Sequence, residues 1–292
     1  MTASDSPDRK IAFQGEPGAY SHQACIAAFP DLEPLPCPAF EDAFAAVQEG
    51  RAGLALIPIE NSLAGRVADI HHLMPGSKLH IIGEHFERVN HHLLAIPGAT
   101  LADIRTVRSH VHALGQCRNF LRQYGIKAVV AADTAGAAAE IAERKDPTLA
   151  AIASDLAAKI YGLRSLAQGI EDAEHNTTRF LVMSKEPKVP APDAGPCITT
   201  FVFRVRNVPA ALYKAMGGFA TNSVNMTKLE SYQINGAFTA TLFYADVEGR
   251  PEDVGLRHAL EELEFFSAEV RILGVYPAHP FRFRARKAAE VG

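Results

Sequence analysis

At 292 residues, 48% hydrophobic and 21% charged, the chain is long enough for two or three folded domains, and core size does not limit it. A net charge of −4 and a pI near 6.3 give no overall basic field. That argues against duplex nucleic acid, which needs several phosphate-neutralising Lys or Arg, and leaves a small molecule as the expected partner.

Cys25, Cys37, Cys117 and Cys197 are far apart with no C-x-x-C pair, which argues against a zinc ribbon and a disulfide framework and reads as four reduced thiols. Met1 to Lys10 is polar and carries Asp5 and Asp8. No stretch of about 18 uncharged apolar residues follows anywhere, so the expectation is a cytoplasmic protein without a membrane span.

Ile11-Ala12-Phe13 runs into Gln14-Gly15-Glu16-Pro17-Gly18, and Tyr20 to Phe29 then has apolar residues at helical spacing with Ser21 as a candidate cap. Two glycines rather than three set this turn apart from a dinucleotide-binding loop. What remains is a helix N-terminus whose N–H groups can hold an anion. The pattern repeats with a strand Leu35 to Pro38, a helix Phe40 to Glu49 stopped by Gly50, and a buried strand Leu54 to Pro58, an alternation that builds a parallel sheet. The last strand opens into Ile59-Glu60-Asn61-Ser62-Leu63-Ala64-Gly65, polar residues placed where such sheets bind ligands or where a helix is capped.

Leu79 to Phe86 and His91 to Ile96 read as extended. A second alternation follows: strand Thr106 to Ser109, helix Ala113 to Gln123, strand Lys127 to Ala131, helix Thr134 to Arg144, strand Leu149 to Ala153 and helix Asp155 to Tyr161. Two α/β lobes with a cleft between them are therefore expected, and interlobe clefts favour small ligands. The chain next reaches Asn176-Thr177-Thr178-Arg179-Phe180, where a hydroxyl, a planar cationic fork and an aromatic wall precede the apolar run Leu181-Val182-Met183. The composition suits a site, although a strand edge with solvated polar residues has the same pattern.

Ser184 to Pro196 is rich in proline and reads as a linker. Beyond it come strand Ile198 to Val205, helix Pro209 to Phe219, strands Val224 to Glu230 and Phe238 to Asp246, helix Pro251 to Phe265 and strand Val270 to Tyr276. That βαββαβ order is ferredoxin-like. The basic, aromatic Phe281 to Lys287 reads as a solvated tail. His71-His72 and His91-His92 invite a metal, but neighbours on a strand point to opposite faces and no H-E-x-x-H occurs; no G-x-S-x-G supports a hydrolase.

Four stretches in order, Gly15-Glu16-Pro17-Gly18-Ala19-Tyr20-Ser21, Pro58 to Gly65, Ser109-His110-Val111-His112-Ala113-Leu114-Gly115-Gln116-Cys117 and Asn176 to Phe180, closely resemble the prephenate dehydratases. Residues 198 to 277, with Asn225-Met226-Thr227-Lys228-Leu229-Glu230-Ser231, resemble the regulatory ACT domain of that family. The resemblance covers nearly the whole chain. It implies a two-lobed catalytic domain over 8–184 similar to type 2 periplasmic binding proteins, with lobe 1 about 8–92 and a return near 178–184, and lobe 2 about 93–177. A linker over 185–197, an ACT domain over 198–277 and a tail over 278–292 complete the expected layout, in a homodimer or homotetramer with neither membrane nor nucleic-acid partner.

The implied reaction removes carbon dioxide and the ring hydroxyl of prephenate to give phenylpyruvate, with no metal or organic cofactor and with L-phenylalanine as feedback effector. On that reading Thr178 donates to the leaving hydroxyl, Arg179 grips a carboxylate and Phe180 packs on the ring. Asn61 and Ser62, with backbone N–H groups of Gly18, Ala19, Tyr20 and Ser21 and neighbours Asn176 and Thr177, complete substrate binding. His110, His112 and Gln116 are weaker candidates, with a structural role equally open.

Effector binding is expected around Asn207, Ala210, Ala211, Leu212, Tyr213, Asn225, Glu230 and Ser231. The chain departs from the family in three places: His112 stands where glutamine is usual, Gly-Ala-Leu-Val becomes Ala210-Ala211-Leu212-Tyr213, and Glu-Ser-Arg-Pro becomes Glu230-Ser231-Tyr232-Gln233. Arogenate dehydratase, the same reaction on the amino acid, is the nearest alternative, and a non-catalytic amino-acid sensor a more distant one.

Overall fold

A computed structural model describes residues 6–67, 70–233 and 240–283. The side chains of His71 and His72, the start of the strand expected from Phe238, and tail residues 284–292 lie outside the described part. The chain divides into two compact units, Met1–Ile70 with His85–Phe180, and His71–Glu84 with Leu181–Gly292.

The first lobe is built from β1 (Lys10–Gln14), α1 (Tyr20–Ala28), β2 (Glu33–Cys37), α2 (Phe40–Gln48), β3 (Leu54–Asn61), the two-residue β4 (Gly65–Arg66), α3 (Ile70–Leu73) and β5 (His80–Arg88). It is joined late in the chain by β11 (Thr177–Ser184), and the sheet order is β2-β1-β3-β11-β5 with β4 paired to β3. Strands β1, β2 and β3 run parallel. Ala55 to Ile59 are buried at every position. Such an unbroken apolar run is what a strand covered on both faces requires.

Between those elements the chain forms the second lobe: β6 (His92–Ala95), β7 (Thr106–Ser109), α4 (Val111–Gln116), α5 (Arg118–Gln123), β8 (Lys127–Val130), α6 (Thr134–Arg144), β9 (Leu149–Ala153), α7 (Asp155–Tyr161) and β10 (Arg164–Gln168). Its sheet order is β10-β6-β9-β7-β8. Successive strand residues feed opposite cores. Leu93, Ala150 and Ile152 pack with Ala113, Leu114 and Leu121 of α4 and α5, whereas Leu94, Ala151 and Ala153 pack with Ala137, Ala138, Ile141 and Ala157 of α6 and α7.

Three local features differ from the sequence reading. The helix expected over Ala113 to Gln123 is two helices broken at Cys117 (φ −120°, ψ 25°), because the Asp172 carboxylate accepts from the N–H groups of Arg118 and Asn119 and starts a new helix there. Ser21 does not cap α1; Ala19 occupies that position with no side-chain cap. Strand β10, at the sheet edge, carried no pattern strong enough to be read.

The second unit contains β12 (Cys197–Val205), α8 (Ala211–Thr221), β13 (Met226–Gln233), β14 (Ala240–Glu248), α9 (Val254–Phe266) and β15 (Ser267–Pro277). This is the βαββαβ order, with sheet order β13-β14-β12-β15 and antiparallel pairs throughout. Phe201, Phe203, Phe219, Phe243, Leu256 and Leu263 form its core. Helix α8 begins two residues later than Pro209, after Ala210 in the left-handed region (φ 62°). Within the same unit Arg282 clamps the Glu84 carboxylate with Nε and Nη2 at 2.7 and 2.9 Å, and the His279 N–H adds a third bond at 3.0 Å. No described helix is long and apolar enough to cross a membrane.

Candidate functional site

A cavity of about 610 Å³ opens between the two lobes of the first unit, and all of its lining residues belong to that unit. Its floor comes from strand ends, Pro58 and Asn61 of β3 and Thr178 and Phe180 of β11. Ala19, Tyr20 and Ser21 contribute the start of α1, and His110, His112, Ala113 and Gln116 the α4 region. Asp133 and Thr134 stand at the start of α6, and Ala64, Gly65, Arg66 and Val67 form one rim. This is where the carboxyl ends of α/β strands place ligands.

Strand β11 explains which half of its motif faces the cavity. Side chains alternate along a strand, so Thr178 and Phe180 line the cavity while Arg179 turns to the opposite face. There Arg179 is 3% exposed and its Nη1 donates to Glu60 Oε1 at 3.0 Å. Arg179, expected to grip a substrate carboxylate, is thus found against the Glu60 carboxylate and off the cavity wall.

Around Thr178 lies a chain of side-chain amides. Asn61 Oδ1 accepts from the N–H groups of Leu63 and Ala64, at 3.0 and 2.9 Å, which fixes which end of its amide is oxygen. Asn61 Nδ2 then donates to Asn176 Oδ1 (2.8 Å) and to Thr178 Oγ (2.9 Å). Asn176, 1% exposed, must in turn present its nitrogen to Gln116 Oε1 (2.9 Å). Gln116 Oε1 also meets His91 Nε2 at 2.8 Å, so that ring nitrogen carries the proton. On the other side of the ring, His91 Nδ1 lies 2.7 Å from the Tyr20 hydroxyl, whose second neighbour is the Asn90 carbonyl at 3.0 Å. Burial lowers the His91 pKa, against smaller raising effects of the Gln116 bond and Glu171. Burial also pushes the Tyr20 hydroxyl well above its ordinary pKa, with Cys117 and Glu171 adding to the rise.

Other expected residues are brought near without lining the cavity. The Gly18 N–H donates to His22 Nδ1 (3.0 Å) and its carbonyl accepts from Ser154 Oγ (2.5 Å); at φ 93° and with Ala157 Cα 2.8 Å from where a Cβ would sit, only glycine fits. Gly18 thus packs between α7 and the turn before α1. Ser62 and Thr177 bond to each other's strand: Ser62 Oγ donates to the His175 carbonyl and accepts from the Thr177 N–H, lacing the end of β3 to β11. Asn176 acts one layer behind, through Asn61 and Gln116. Ala19, Tyr20, Ser21, Asn61, Thr178 and Phe180 remain on the cavity wall.

His110 caps α4 weakly, its Nδ1 accepting from the His112 N–H at 3.4 Å, and stacks obliquely on His112 with ring centroids 5.1 Å apart. Burial lowers its pKa first, then His112, with Asp133 opposing. Sequence reasoning missed His91, Asp133 and the apolar contributors Phe40, Val67 and Val89. His91 was weighed only as a metal ligand, because its partners lie 25 and 71 positions away and leave no local signal.

A cavity with neutral hydroxyl and amide donors, backbone N–H groups at a helix start and apolar walls can hold an anionic ring compound and donate to oxygen leaving from it. The sequence profile of the family described as "Prephenate dehydratase" matches residues 11–188. A Komagataeibacter europaeus protein described as a bifunctional N-acyl-homoserine lactone acylase/prephenate dehydratase is 54% identical over 275 residues, 94% of this chain and 98% of that one. An Arabidopsis thaliana chloroplastic arogenate dehydratase/prephenate dehydratase is 41% identical over 293 residues, covering 95% and 74%. The solved prephenate dehydratase of Arthrobacter aurescens, in complex with L-Phe, is 30% identical with a TM-score of 0.83, covering 96% of this chain and 97% of that one. The chain belongs to the prephenate dehydratase family and is a dehydratase enzyme.

Proposed function

We propose that the chain converts prephenate to phenylpyruvate and is feedback regulated by L-phenylalanine through its second unit. The reaction breaks the bond from the ring to its carboxylate, releasing carbon dioxide. That electron pair completes the aromatic ring and expels the hydroxyl at the opposite ring carbon, which takes up one proton and leaves as water. Aromatisation drives the step, so the enzyme's task is to stabilise charge on the departing oxygen and hold a dianion in a site that limits water.

The observation that carries the reading is the hydrogen-bond order at Thr178. Its oxygen accepts from Asn61 Nδ2, and among the described residues its own proton goes to no acceptor. It is therefore available to the leaving hydroxyl. Phe180, 1% exposed in the cavity wall, packs on the ring. The N–H groups where α1 begins, at Tyr20 and Ser21, receive a carboxylate; that of Ala19 is held by the Glu16 carbonyl at 3.0 Å.

For the second unit, the support is the βαββαβ fold and the L-Phe complex of the Arthrobacter relative. Asn207, Ala210, Ala211, Leu212, Tyr213, Asn225, Glu230 and Ser231 form the proposed effector site. Tyr213 and Phe265, 81% and 79% exposed, support burial of this unit against another copy in a homodimer or homotetramer.

The 41% identity to a relative named for both substrates favours arogenate as the second reading. Purified protein given prephenate and arogenate side by side, with phenylpyruvate and phenylalanine quantified, tests both. Prephenate turnover is expected, and activity on neither substrate would remove the proposal. The acylase activity named for the 54% relative is checked in the same preparation with an N-acyl-homoserine lactone.

A further inference from the structure

We infer that Gln116 touches the substrate directly and selects the keto acid over the corresponding amino acid, an assignment that rests on the dehydratase reading above. The sequence marks Gln116 as a weaker site candidate with a structural role equally open, and the amide chain gives it a specific one. Its Oε1 is occupied by two donors, Asn176 Nδ2 at 2.9 Å and His91 Nε2 at 2.8 Å. Its Nε2 bonds to none of the described residues, yet Gln116 lines the cavity and that nitrogen is not buried from it. The cavity therefore sees an N–H donor at this point and no acceptor.

The side chain cannot turn over to offer its oxygen instead. A flip would place NH₂ against the Asn176 amide nitrogen and against the protonated nitrogen of His91, leaving donors facing donors. Nor can Asn176 reverse, since Asn61 is pinned by the backbone N–H groups of Leu63 and Ala64. The polarity of the chain from Asn61 to His91 thus descends from two backbone amides whose direction is unambiguous, and the Tyr20 hydroxyl lies 2.7 Å from the far nitrogen of His91.

Prephenate and arogenate differ at one group. The keto oxygen of the first only accepts, and the ammonium of the second only donates. A fixed N–H pairs with the former and leaves the latter facing a donor, the arrangement in which buried polar sites discriminate most. Placement agrees as well: Thr178 and Gln116 occupy the two ends of the amide chain, as the leaving hydroxyl and the three-carbon side chain occupy opposite carbons of the substrate ring.

The test is the ratio of kcat/KM for prephenate to that for arogenate, measured on the wild-type protein, Gln116→Met and Gln116→Glu. Wild type is expected to favour prephenate. Gln116→Met, which removes the donor without adding charge, is expected to lower that preference by roughly tenfold or more. Gln116→Glu, which keeps both bonds to Asn176 and His91 and turns an acceptor to the cavity, is expected to lower it further and toward arogenate. A Gln116→Met enzyme with the wild-type ratio overturns the inference, since loss of mere packing lowers both activities together. If neither variant folds, the wild-type ratio decides, and a preference for arogenate overturns it. A wild type active on neither substrate is a different result, which removes the dehydratase reading itself.

Discussion

Asn61 Nδ2 donates to Thr178 Oγ at 2.9 Å, and the oxygen of the same amide is held by two backbone N–H groups, so Thr178 is an acceptor toward the protein and a donor toward the cavity. Thr178→Ala is expected to keep the fold and lower kcat by about 10² to 10³, the usual loss for one transition-state donor, with a smaller change in KM. Thr178→Ser should retain much of the activity. Steady-state phenylpyruvate formation checks both, and wild-type turnover in Thr178→Ala would remove Thr178 from the reaction.

The same geometry makes Asn61→Asp more informative than a deletion. The aspartate still accepts from Leu63 and Ala64, but its other oxygen now faces Thr178 and Asn176 where an N–H stood. Thr178 would donate to that oxygen and lose its proton for the substrate. The expected outcome is a fall in kcat of about 10² or more, matching Thr178→Ala, and a Thr178→Ala/Asn61→Asp double variant little worse than either. Fully additive losses would show that the two residues act separately.

Arg179 gives the opposite expectation to the one its sequence motif suggests. At 3% exposure and paired with Glu60 it acts on stability, so Arg179→Met should lower the unfolding free energy by about 1–3 kcal/mol; the figure is below that for fully buried pairs because Glu60 is 34% exposed and can rehydrate. KM for the substrate should stay within about threefold, because a group that does not contact substrate contributes no uniform binding. Urea unfolding and kinetics on the same preparation check this, and a large rise in KM without loss of stability would return Arg179 to the cavity.

Why Thr178 lines the cavity and its neighbour Arg179 does not is a matter of period. Contiguous residues in Asn176 to Phe180 were legible as a site, but on a strand adjacent side chains part company, and which parity faces the cavity depends on β11 entering the middle of the first lobe's sheet. The α/β alternation, the lobe-forming helices at Thr134 to Arg144 and Asp155 to Tyr161, and the βαββαβ order were readable because each buries its apolar set locally. The break at Cys117 was not, since the carboxylate that causes it comes from Asp172. His91, Gln116 and Asn176 form one network across 25 to 85 positions of sequence, where no spacing rule reaches.

Burial lowers the pKa of His91 and, to the same effect, of His22, His92 and His110. The unfolded chain binds these protons near pH 6.5 and the folded chain only below it, so stability is fully present above about pH 6.5 and is lost as pH falls through that window toward the folded values. Melting temperature is therefore expected to fall on acidification from pH 7 to 5. His91→Asn should reduce that slope while lowering stability at pH 7, because the Gln116 and Tyr20 bonds are lost. A slope unchanged by the substitution would show that His91 does not carry it.

Ala210 holds φ 62° at the start of α8, a conformation that costs an L-alanine about 1–2 kcal/mol and glycine almost nothing. The related dehydratase motif has glycine at this point, and the backbone conformation gives the reason: the turn into α8 needs the left-handed region, whatever approaches it. Ala210→Gly should therefore stabilise, by a net ~0.5–1 kcal/mol once glycine's extra freedom in the unfolded chain is subtracted. The N–H groups that follow, at Leu212 and Tyr213, are the proposed anchor for the L-phenylalanine carboxylate, since that of Ala211 already donates to the Val208 carbonyl. Relieving strain without moving them should leave the ligand's effect intact: millimolar L-phenylalanine is expected to raise the melting temperature of both proteins and to inhibit both. Reciprocity requires that a substrate analogue weaken L-phenylalanine binding by the factor with which L-phenylalanine weakens the analogue's. Thermal unfolding and calorimetric titration check the two halves independently. A fall in stability on Ala210→Gly would refute the strain argument, whereas no heat, no melting shift and no inhibition in wild type would refute the effector site.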